Sequence, residues 1–286
     1  MTMDVDVLLN HEFEEIEHTY TAKDTSLYAL GVGLGADPLD EDQLRFVYEE
    51  AMLALPTMSV VLGYPGFWLQ EEWTGVDWVK VLHGEQGIRI HKPLPAAATV
   101  KGRTRITEIV DKGADKGALI YQERDVVDVA TSDLLCTLTA SAFARGDGGF
   151  SGSTGPGHPV HQLPDREPDT VCYLPTLPQA ALIYRLSGDF NPLHAVPSVA
   201  KAGGFDAPIL HGLATLGVAG HAILKTQCAY DPTKFKSLDL RFSAPVYPGE
   251  TIRTEMWRDG GIVSFRARVI ERDVVVLNNG RAEVED

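Results

Sequence analysis

Apolar and polar residues alternate along two separate regions of the sequence, one between residues 81 and 144 and one between residues 235 and 284. Alternation with a period of two is typical of β-strands with one buried face, and Gly- and Asp-containing turns separate the runs. The predicted strands cover residues 81–91, 99–110, 118–130, 134–144, 235–244, 251–258, 262–271 and 274–284. Each region is therefore predicted to form an antiparallel meander.

Helical patterns lie outside these regions, at residues 37–55, 179–186 and 209–224. The last of these follows Pro208 and is mostly apolar, interrupted by His211, His221 and three glycines, which predicts a long buried helix. The first begins with capping and acidic residues, and we expect it to end before Pro56. The aromatic-rich residues 68–78 are predicted to be a mobile or capping segment.

The sequence also contains an internal repeat. Residues 93–100 align without a gap with residues 245–252: each segment begins with Pro and has Thr six positions later. Farther upstream, residues 27–30 align with residues 183–186, and both contain a Tyr at the second position. We interpret this as a duplication of one unit, a helix plus an antiparallel sheet.

The Gly-rich residues 146–157 have the composition of a linker between the two copies. No strand–loop–helix pattern surrounds them, which argues against a phosphate-binding loop. The chain is therefore predicted to be an α+β protein with two antiparallel sheets and helices. Its two domains would be residues 1–150 and residues 151–286.

The strongest candidate chemistry lies in the loop between the second and third helical patterns. Asp189, Asn191 and His194 occur there, and Pro192 prevents the preceding helix from continuing. A carboxylate and an imidazole on one rigid loop can share the protons of a bound water, which is general acid–base chemistry. The first amides of the next helix, near His211 and Gly212, could stabilise a developing oxyanion.

An Asp-x-Asn-Pro stretch is often only a turn in which the side chains bond their own backbone. The longer string is more specific. Tyr-Arg-Leu-Ser-Gly-Asp-Phe-Asn-Pro-Leu-His, followed by Pro-Ile-Leu-His-Gly-Leu, resembles the signature of the MaoC-like (R)-specific enoyl-CoA hydratases. Within that family the string is similar to the hydratase 2 unit of peroxisomal multifunctional enzymes of type 2, and the resemblance extends over most of the chain.

This resemblance implies a double hot-dog fold and hydration of a trans-2-enoyl-CoA to a (3R)-3-hydroxyacyl-CoA, as in fatty acid β-oxidation. It implies no cofactor, an acyl-CoA thioester as substrate, and a homodimer. The implied catalytic residues are Asp189, His194, Asn191 and Gly212. The implied substrate-binding residues are His83, Gly84, Lys112, Phe190, Pro192, Leu193, His211 and Phe242.

The two copies differ at the candidate site. When Tyr28 is aligned with Tyr184, Gly33 falls opposite Asp189 and Pro38 opposite His194. A small gap instead puts residues 37–40, Asp-Pro-Leu-Asp, opposite residues 191–194, Asn-Pro-Leu-His. Neither alignment supplies a histidine in the first copy. The first copy also lacks a counterpart of the long apolar helix. A sheet face without that helix is a natural site for an acyl chain. We therefore expect catalysis in the second copy, substrate room in the first, and one substrate per chain.

Lys112 belongs to the only basic cluster, which comprises Lys101, Arg103, Arg105, Lys112 and Lys116. A solvated strand face would explain these charges, but so would a site for the phosphates of coenzyme A.

Three oxygen and nitrogen ligands, from Asp189, His194 and His211, would suffice for a zinc ion. No short His or Cys pair accompanies them, so no metal is predicted.

The composition of the chain limits which binding partners and which cellular compartment we expect. A net charge of −15 disfavours nucleic acid and anionic membranes. Three cysteines without metal-type spacing indicate buried, reduced thiols. Neither a secretory signal nor an apolar run of membrane-spanning length is present. We expect a cytoplasmic protein, or a peroxisomal one in a eukaryote, although the final Val-Glu-Asp is not a peroxisomal signal.

Two other functions compete with hydration. A hot-dog thioesterase would use the same fold and the same coenzyme A handle, but it typically lacks the Ser-Gly-Asp-x-Asn-Pro-x-His block. A non-catalytic acyl-CoA-binding subunit would arise if a duplicated copy lost its catalytic pair. The intact Asp189 and His194 in the second copy argue against this alternative.

Overall fold

The computed structural model describes residues 3–150 and 152–285, whose ten strands form one antiparallel sheet. The strands are β1 (Ile16–Tyr20), β2 (Val81–Ile90), β3 (Ala98–Asp111), β4 (Ala118–Asp128), β5 (Leu134–Ala144), β6 (Thr170–Pro175), β7 (Phe235–Phe242), β8 (Thr251–Asp259), β9 (Ile262–Val269) and β10 (Val274–Val284). All eight strands predicted from alternation are present, with ends within two residues of the predicted ones. The short strands β1 and β6, at the two edges of the sheet, were missed.

The strand order confirms the duplication. Across the sheet it is β1-β3-β4-β5-β2-β7-β10-β9-β8-β6. Counted inward from its own edge, each half therefore has the same order of strands: first, third, fourth, fifth and second of its copy. The prediction of two separate sheets was wrong in one respect, because β2 and β7 pair and join the two sheets. Ion pairs Glu85–Arg241 and Arg89–Asp239, at 2.5 and 2.7 Å, bridge this seam.

Six helices accompany the sheet within the described residues: α1 (Val5–Leu9), α2 (Ala22–Gly31), α3 (Glu41–Leu44), α4 (Ala180–Tyr184), α5 (Pro197–Ala202) and α6 (Gly212–Gln227). Helix α6 begins three residues later than predicted and packs on strands β6, β7, β8 and β10 of the second copy. Its residues 214–224 are all buried. The first copy has no helix of this length among the described residues. None of the described helices combines the length and the apolar composition needed to cross a bilayer.

The predicted helix over residues 37–55 was wrong. Only α3 is helical, and Asp40 caps it by accepting from the amides of Asp42 and Gln43. The chain then turns, and Ala51 adopts a positive φ of 53° that no right-handed helix allows. Phe46 and Leu55 reach the core through these turns. The capping signal was therefore real, but tertiary packing ended the helix after one turn.

The aromatic-rich segment, residues 68–78, covers the sheet of the first copy. It consists of short 3₁₀ turns whose Trp68, Leu69 and Val76 pack against Ile109 and other apolar residues of the sheet. The indole Nε1 of Trp68 donates to Gln122 Oε1 at 2.9 Å. The capping role predicted for this segment matches the packing.

The Gly-rich linker runs along strand β3. The amide of Thr154 donates to the Ile109 carbonyl at 2.9 Å, and the amide of Ile109 donates to Thr154 Oγ1 at the same distance. Ser151, within this linker, lies outside the described residues. The division into domains at residue 150 stays a prediction.

Candidate active site

The loop between α4 and α6 is held by two turns of its own side chains. Gly188 has a φ of 116°, which ends the helical path after Ser187. Asp189 Oδ1 accepts from the amide of Asn191 at 3.1 Å, and Asn191 Oδ1 accepts from the amide of Leu193 at 3.0 Å. The turn interpretation of this stretch is therefore correct, and it coexists with the side-chain cluster described next.

Asp189, His194 and His211 form one cluster. Their ligand-capable atoms all lie within 4.8 Å of one another, and both imidazoles are buried. The two rings stack, with centroids 3.7 Å apart and an interplanar angle of 26°. His194 Nδ1 contacts the Ile209 carbonyl at 2.8 Å, and His211 Nε2 contacts the Asp189 carbonyl at 3.1 Å.

These contacts fix the tautomers, because a carbonyl oxygen can only accept. His194 carries its proton on Nδ1, which leaves Nε2 as a bare basic nitrogen. His211 carries its proton on Nε2, which leaves Nδ1 as the acceptor. Burial lowers the pKa of His194 from 6.5. Burial also lowers the pKa of His211, and the neighbouring His194 lowers it further. Both rings are therefore neutral near pH 7.

The N-terminus of α6 faces the same region. The first amides of a helix have no intrahelical acceptor, and the N-cap residue, His211, provides no side-chain capping bond for them. A Cβ added to Gly212 would lie 3.2 Å from the ring of Phe242. The absence of a side chain at Gly212 therefore lets that ring pack close to the backbone whose amide is the candidate oxyanion donor.

The first copy contributes His83 and Gly84 from strand β2. The His83 ring lies 4.6 Å from that of Phe242, and its Nε2 donates to the Glu85 carbonyl at 3.1 Å. Although the ring is open to solvent on one side, desolvation by the surrounding protein lowers the pKa of His83. A Cβ on Gly84 would come within 2.8 Å of Ser141 Oγ. The predicted residues of both copies therefore meet through Phe242.

Lys112 is not part of this cluster. It lies in the β3–β4 turn, next to Asp111, and the row Asp111–Ala118–Ala144–Val81 crosses four strands. Because three inter-strand spacings separate the first and last strands of this row, the turn that carries Lys112 lies roughly 14 Å from the start of β2. Lys112 is exposed, at the same end of the sheet as His83.

The other loop residues have mixed surroundings. Phe190 is 58% exposed, and the Arg185 guanidinium lies 4.9 Å from the centroid of its ring. Leu193 packs toward Gly203, at the end of α5. Pro192 opens the 3₁₀ turn that carries His194. Pro192 and Leu193 therefore brace the loop, whereas Phe190 is available for contact.

Sequence reasoning missed Tyr64, which reaches the site from the first copy. Desolvation and the charge of Asp189 raise the pKa of Tyr64 to about 12, although 41% of the residue is exposed. The buried guanidinium of Arg124 lies 5.3 Å from the centroid of the Tyr64 ring and donates to the Val60 carbonyl at 2.7 Å. No sequence motif marks Tyr64, and only the fold brings it to Asp189.

Comparisons with known proteins cover both copies. A family model described as the MFE-2 hydratase 2 N-terminal domain matches residues 18–146, and one described as the MaoC like domain matches residues 159–279. The chain is 41% identical to the peroxisomal enoyl-CoA hydratase 2 of Arabidopsis thaliana, over 95% of this chain and 93% of that protein. It is 36% identical to the peroxisomal multifunctional enzyme type 2 of Mus musculus, over 96% of this chain and 38% of that longer protein.

Solved structures agree with these matches. A MaoC-like dehydratase from Phytophthora capsici has a TM-score of 0.86 and 36% identity, over 99% of both chains. The full-length peroxisomal multifunctional enzyme type 2 of Drosophila melanogaster has a TM-score of 0.81 and 33% identity, over 95% of this chain and 48% of that one. The sheet order, the loop cluster and these matches together show that the chain belongs to the MaoC-like enoyl-CoA hydratase 2 family, with the double hot-dog fold.

Proposed function

We propose that this protein is a hydro-lyase that adds water to a trans-2-enoyl-CoA, giving a (3R)-3-hydroxyacyl-CoA, and that it catalyses the reverse dehydration. The observation that carries the proposal is the cluster of the Asp189 carboxylate with His194, whose Nε2 has no proton, beside the N-terminus of α6. Relatives named as enoyl-CoA hydratase 2 support the same reaction.

In the proposed step, Asp189 and His194 hold one water. One of them takes a proton from the water while the oxygen adds to C3, and that proton is delivered to C2 on the same face. The pair thus ends in the protonation state in which it began. Conjugation to the thioester makes C3 electrophilic, so the chemistry needs no cofactor.

The remaining site residues assist this step. The Gly212 amide, at the uncapped end of α6, stabilises the negative charge that develops on the thioester oxygen. Asn191 holds the loop through its bond to the Leu193 amide and orients the water or the pair. His83 and Phe242 line the opposite side and contact the thioester or the pantetheine arm.

A panel of enoyl-CoA thioesters of different acyl groups tests the function. We expect water addition with a 3R product, measured by loss of enoyl absorbance and by chiral analysis of the 3-hydroxyacyl-CoA. Release of free coenzyme A without hydration would instead identify a thioesterase. Binding of the thioesters without turnover would identify an acyl-CoA-binding subunit.

Neutralising Lys112 should weaken substrate binding more than it slows chemistry. A phosphate contact remote from C3 is similar in the ground and transition states, so Lys112→Ala should raise KM more than it lowers kcat. Steady-state kinetics on a coenzyme A thioester and on its truncated pantetheine analogue give the answer. An equal weakening on both substrates would show that Lys112 does not contact a phosphate.

Chelation should leave the activity unchanged. His211 Nε2 already donates to the Asp189 carbonyl, and His194 Nδ1 donates to the Ile209 carbonyl. Each imidazole keeps one free nitrogen, that of His211 being buried, but the sequence offers no short His or Cys pair of the kind that anchors a metal site. The measurement is turnover before and after treatment with EDTA. Loss of activity that zinc restores would make these three residues a metal site.

The activity should persist below pH 6.5. A lowered pKa keeps the His194 base neutral as the pH falls through 6.5, so the acid limb of kcat/KM should lie below that value. The same lowering destabilises the fold in acid, because the unfolded chain binds protons that the folded chain does not. Thermal unfolding at each pH separates the two effects. An acid limb at or above pH 6.5 in the folded protein would contradict the assignment.

The assembly and the compartment are proposed by analogy with the family. We propose a homodimer with one substrate site per chain, in which the acyl tail lies in the first copy. The acyl-CoA would come from fatty acid or related β-oxidation, as the names of the multifunctional enzymes suggest. We propose a cytoplasmic location, or a peroxisomal one in a eukaryote, as the name of the Arabidopsis relative suggests.

A further inference from the structure

A line of buried polar atoms leads from the first copy to the catalytic loop. Four side chains form it: Thr57 and Tyr28 of the first copy, and Tyr184 and His211 of the second. Each is at most 1% exposed. In each, one polar atom is buried without a hydrogen-bond partner: Thr57 Oγ1, Tyr28 Oη, Tyr184 Oη and His211 Nδ1. Isolated atoms of this kind destabilise a fold, so such a group calls for an explanation.

These residues are neighbours. The rings of Tyr28 and Tyr184 have centroids 5.8 Å apart, and those of Tyr184 and His211 are 5.0 Å apart. The Tyr28 hydroxyl points at α6, because a Cβ added to Gly217 would lie 3.0 Å from it. Thr57 contacts the same helix one turn later, at Gly220. Tyr28 and Tyr184 are also the tyrosines that align in the internal repeat.

Donors and acceptors in this line are complementary. His211 Nε2 donates to the Asp189 carbonyl, so His211 Nδ1 is an acceptor that needs a donor. Tyr184 has a hydroxyl hydrogen to give, and its oxygen can accept from Tyr28. The Tyr28 oxygen can in turn accept from Thr57. None of these atoms bonds its neighbour in the structure. Small side-chain rotations that gave one direction of donation, Thr57 to Tyr28 to Tyr184 to His211, would satisfy all four.

We propose that Tyr184 and Tyr28 are positioning residues, whose hydroxyls fix His211 in the tautomer that donates from Nε2 to the Asp189 carbonyl. His211 then holds the loop that carries Asp189 and stacks on His194 at 3.7 Å. This rests on the proposed roles of Asp189 and His194. The first copy, which lacks a catalytic loop of its own, thus supports the loop of the second through Tyr28. Burial raises the pKa of both phenols, which keeps both as donors.

Arg185 is the competing donor. Its Nε is also buried without a partner, and its positive charge lowers the pKa of His211. The Arg185 guanidinium lies 4.9 Å from the centroid of the Phe190 ring. If Arg185 donated to His211 Nδ1, removal of the Tyr184 hydroxyl would leave the tautomer and the hydrogen bond of His211 unchanged.

The test is nitrogen-15 NMR of the histidine rings in the full-length, substrate-free protein. In the wild type we expect a His211 with a proton on Nε2 and a hydrogen-bonded, unprotonated Nδ1. Tyr184→Phe should move the Nδ1 signal to that of a free acceptor or switch the tautomer, and Tyr28→Phe should cause a smaller shift in the same direction. A wild-type His211 protonated on Nδ1, or a signal unmoved in Tyr184→Phe, would overturn the proposal. If a variant does not fold, the wild-type spectrum can still overturn the proposal, because a free or protonated Nδ1 would mean that no side chain donates to it.

Kinetics give the second readout. Loss of one hydrogen bond behind His211 should lower kcat about two- to tenfold in Tyr184→Phe, with KM changed less. Tyr230→Phe is the matched control, because it removes a buried hydroxyl that contacts His221 Nε2 at 3.1 Å, outside the line. That control should shift the His221 signal and leave kcat unchanged. An equal fall in kcat in both variants would mean that Tyr184 is only structural. A wild type without hydratase activity would refute the proposed function and leave the NMR result standing.

Discussion

Asp189→Asn and His194→Gln should each reduce enoyl-CoA hydration by at least ~10²-fold, the usual effect of removing a general acid or base. Both residues lie in one cluster with ligand-capable atoms within 4.8 Å, and the free Nε2 of His194 has no substitute in that cluster. Binding of the coenzyme A ester should be largely kept, because neither residue is expected to contact the phosphates. Steady-state hydration and calorimetric binding of a non-hydratable acyl-CoA analogue separate the two quantities.

The first copy offers the control for Asp189. Asp37 makes the same kind of turn, since its Oδ1 accepts from the Leu39 amide at 2.9 Å, yet it has no histidine partner in the sequence alignment. Asp37→Asn should therefore leave hydration unchanged. His91→Gln is the control for His194, because His91 is exposed on the first copy. Near-full activity in either Asp189→Asn or His194→Gln would show that these two residues are not the catalytic centre.

The comparison between Asp189 and Asp37 also shows why sequence alone left two interpretations open. An Asx turn and the proposed catalytic carboxylate use the same side chain: Asp189 Oδ1 accepts from the Asn191 amide, and the carboxylate also lies in the cluster with the two histidines. A local pattern therefore cannot choose between them. The longer resemblance did, and the matches to the MaoC-like domain and to enoyl-CoA hydratase 2 confirm the family and the fold that it implied.

Periodicity predicted the strands well, because a half-buried strand must alternate whatever its neighbours are. It could not predict that β2 and β7 would pair across the two copies, since strand pairing uses backbone groups that every residue carries. It also could not place Tyr28 against Tyr184, although both lay in the repeat that it revealed. Contacts between distant segments depend on the packing of α6, which joins the two copies.

The second prediction with a large expected effect concerns the stability of the contact between helix α6 and the first copy. Glycines in α6 allow residues of the first copy to pack close to the helix. A Cβ on Gly220 would lie 2.4 Å from Thr57 Cγ2, and one on Gly217 would lie 2.5 Å from Val32 Cγ1. The sequence alone showed these glycines only as interruptions of an apolar run. In the structure they mark the surface where one helix packs against both copies of the fold.

Gly220→Leu should therefore destabilise the protein by ~1–3 kcal/mol, as overpacking of a close interior contact does, even though leucine favours a helix more than glycine. Because Thr57 begins the buried line to His211, hydration should fall as well. Lys225→Leu, an exposed substitution on the same helix, is the matched control and should change the free energy of unfolding little. Urea unfolding at neutral pH measures both. If the two variants unfolded at the same urea concentration as the wild type, the contact between α6 and the first copy would be looser than the structure shows. The dependence of the catalytic loop on the first copy would then lose its physical basis.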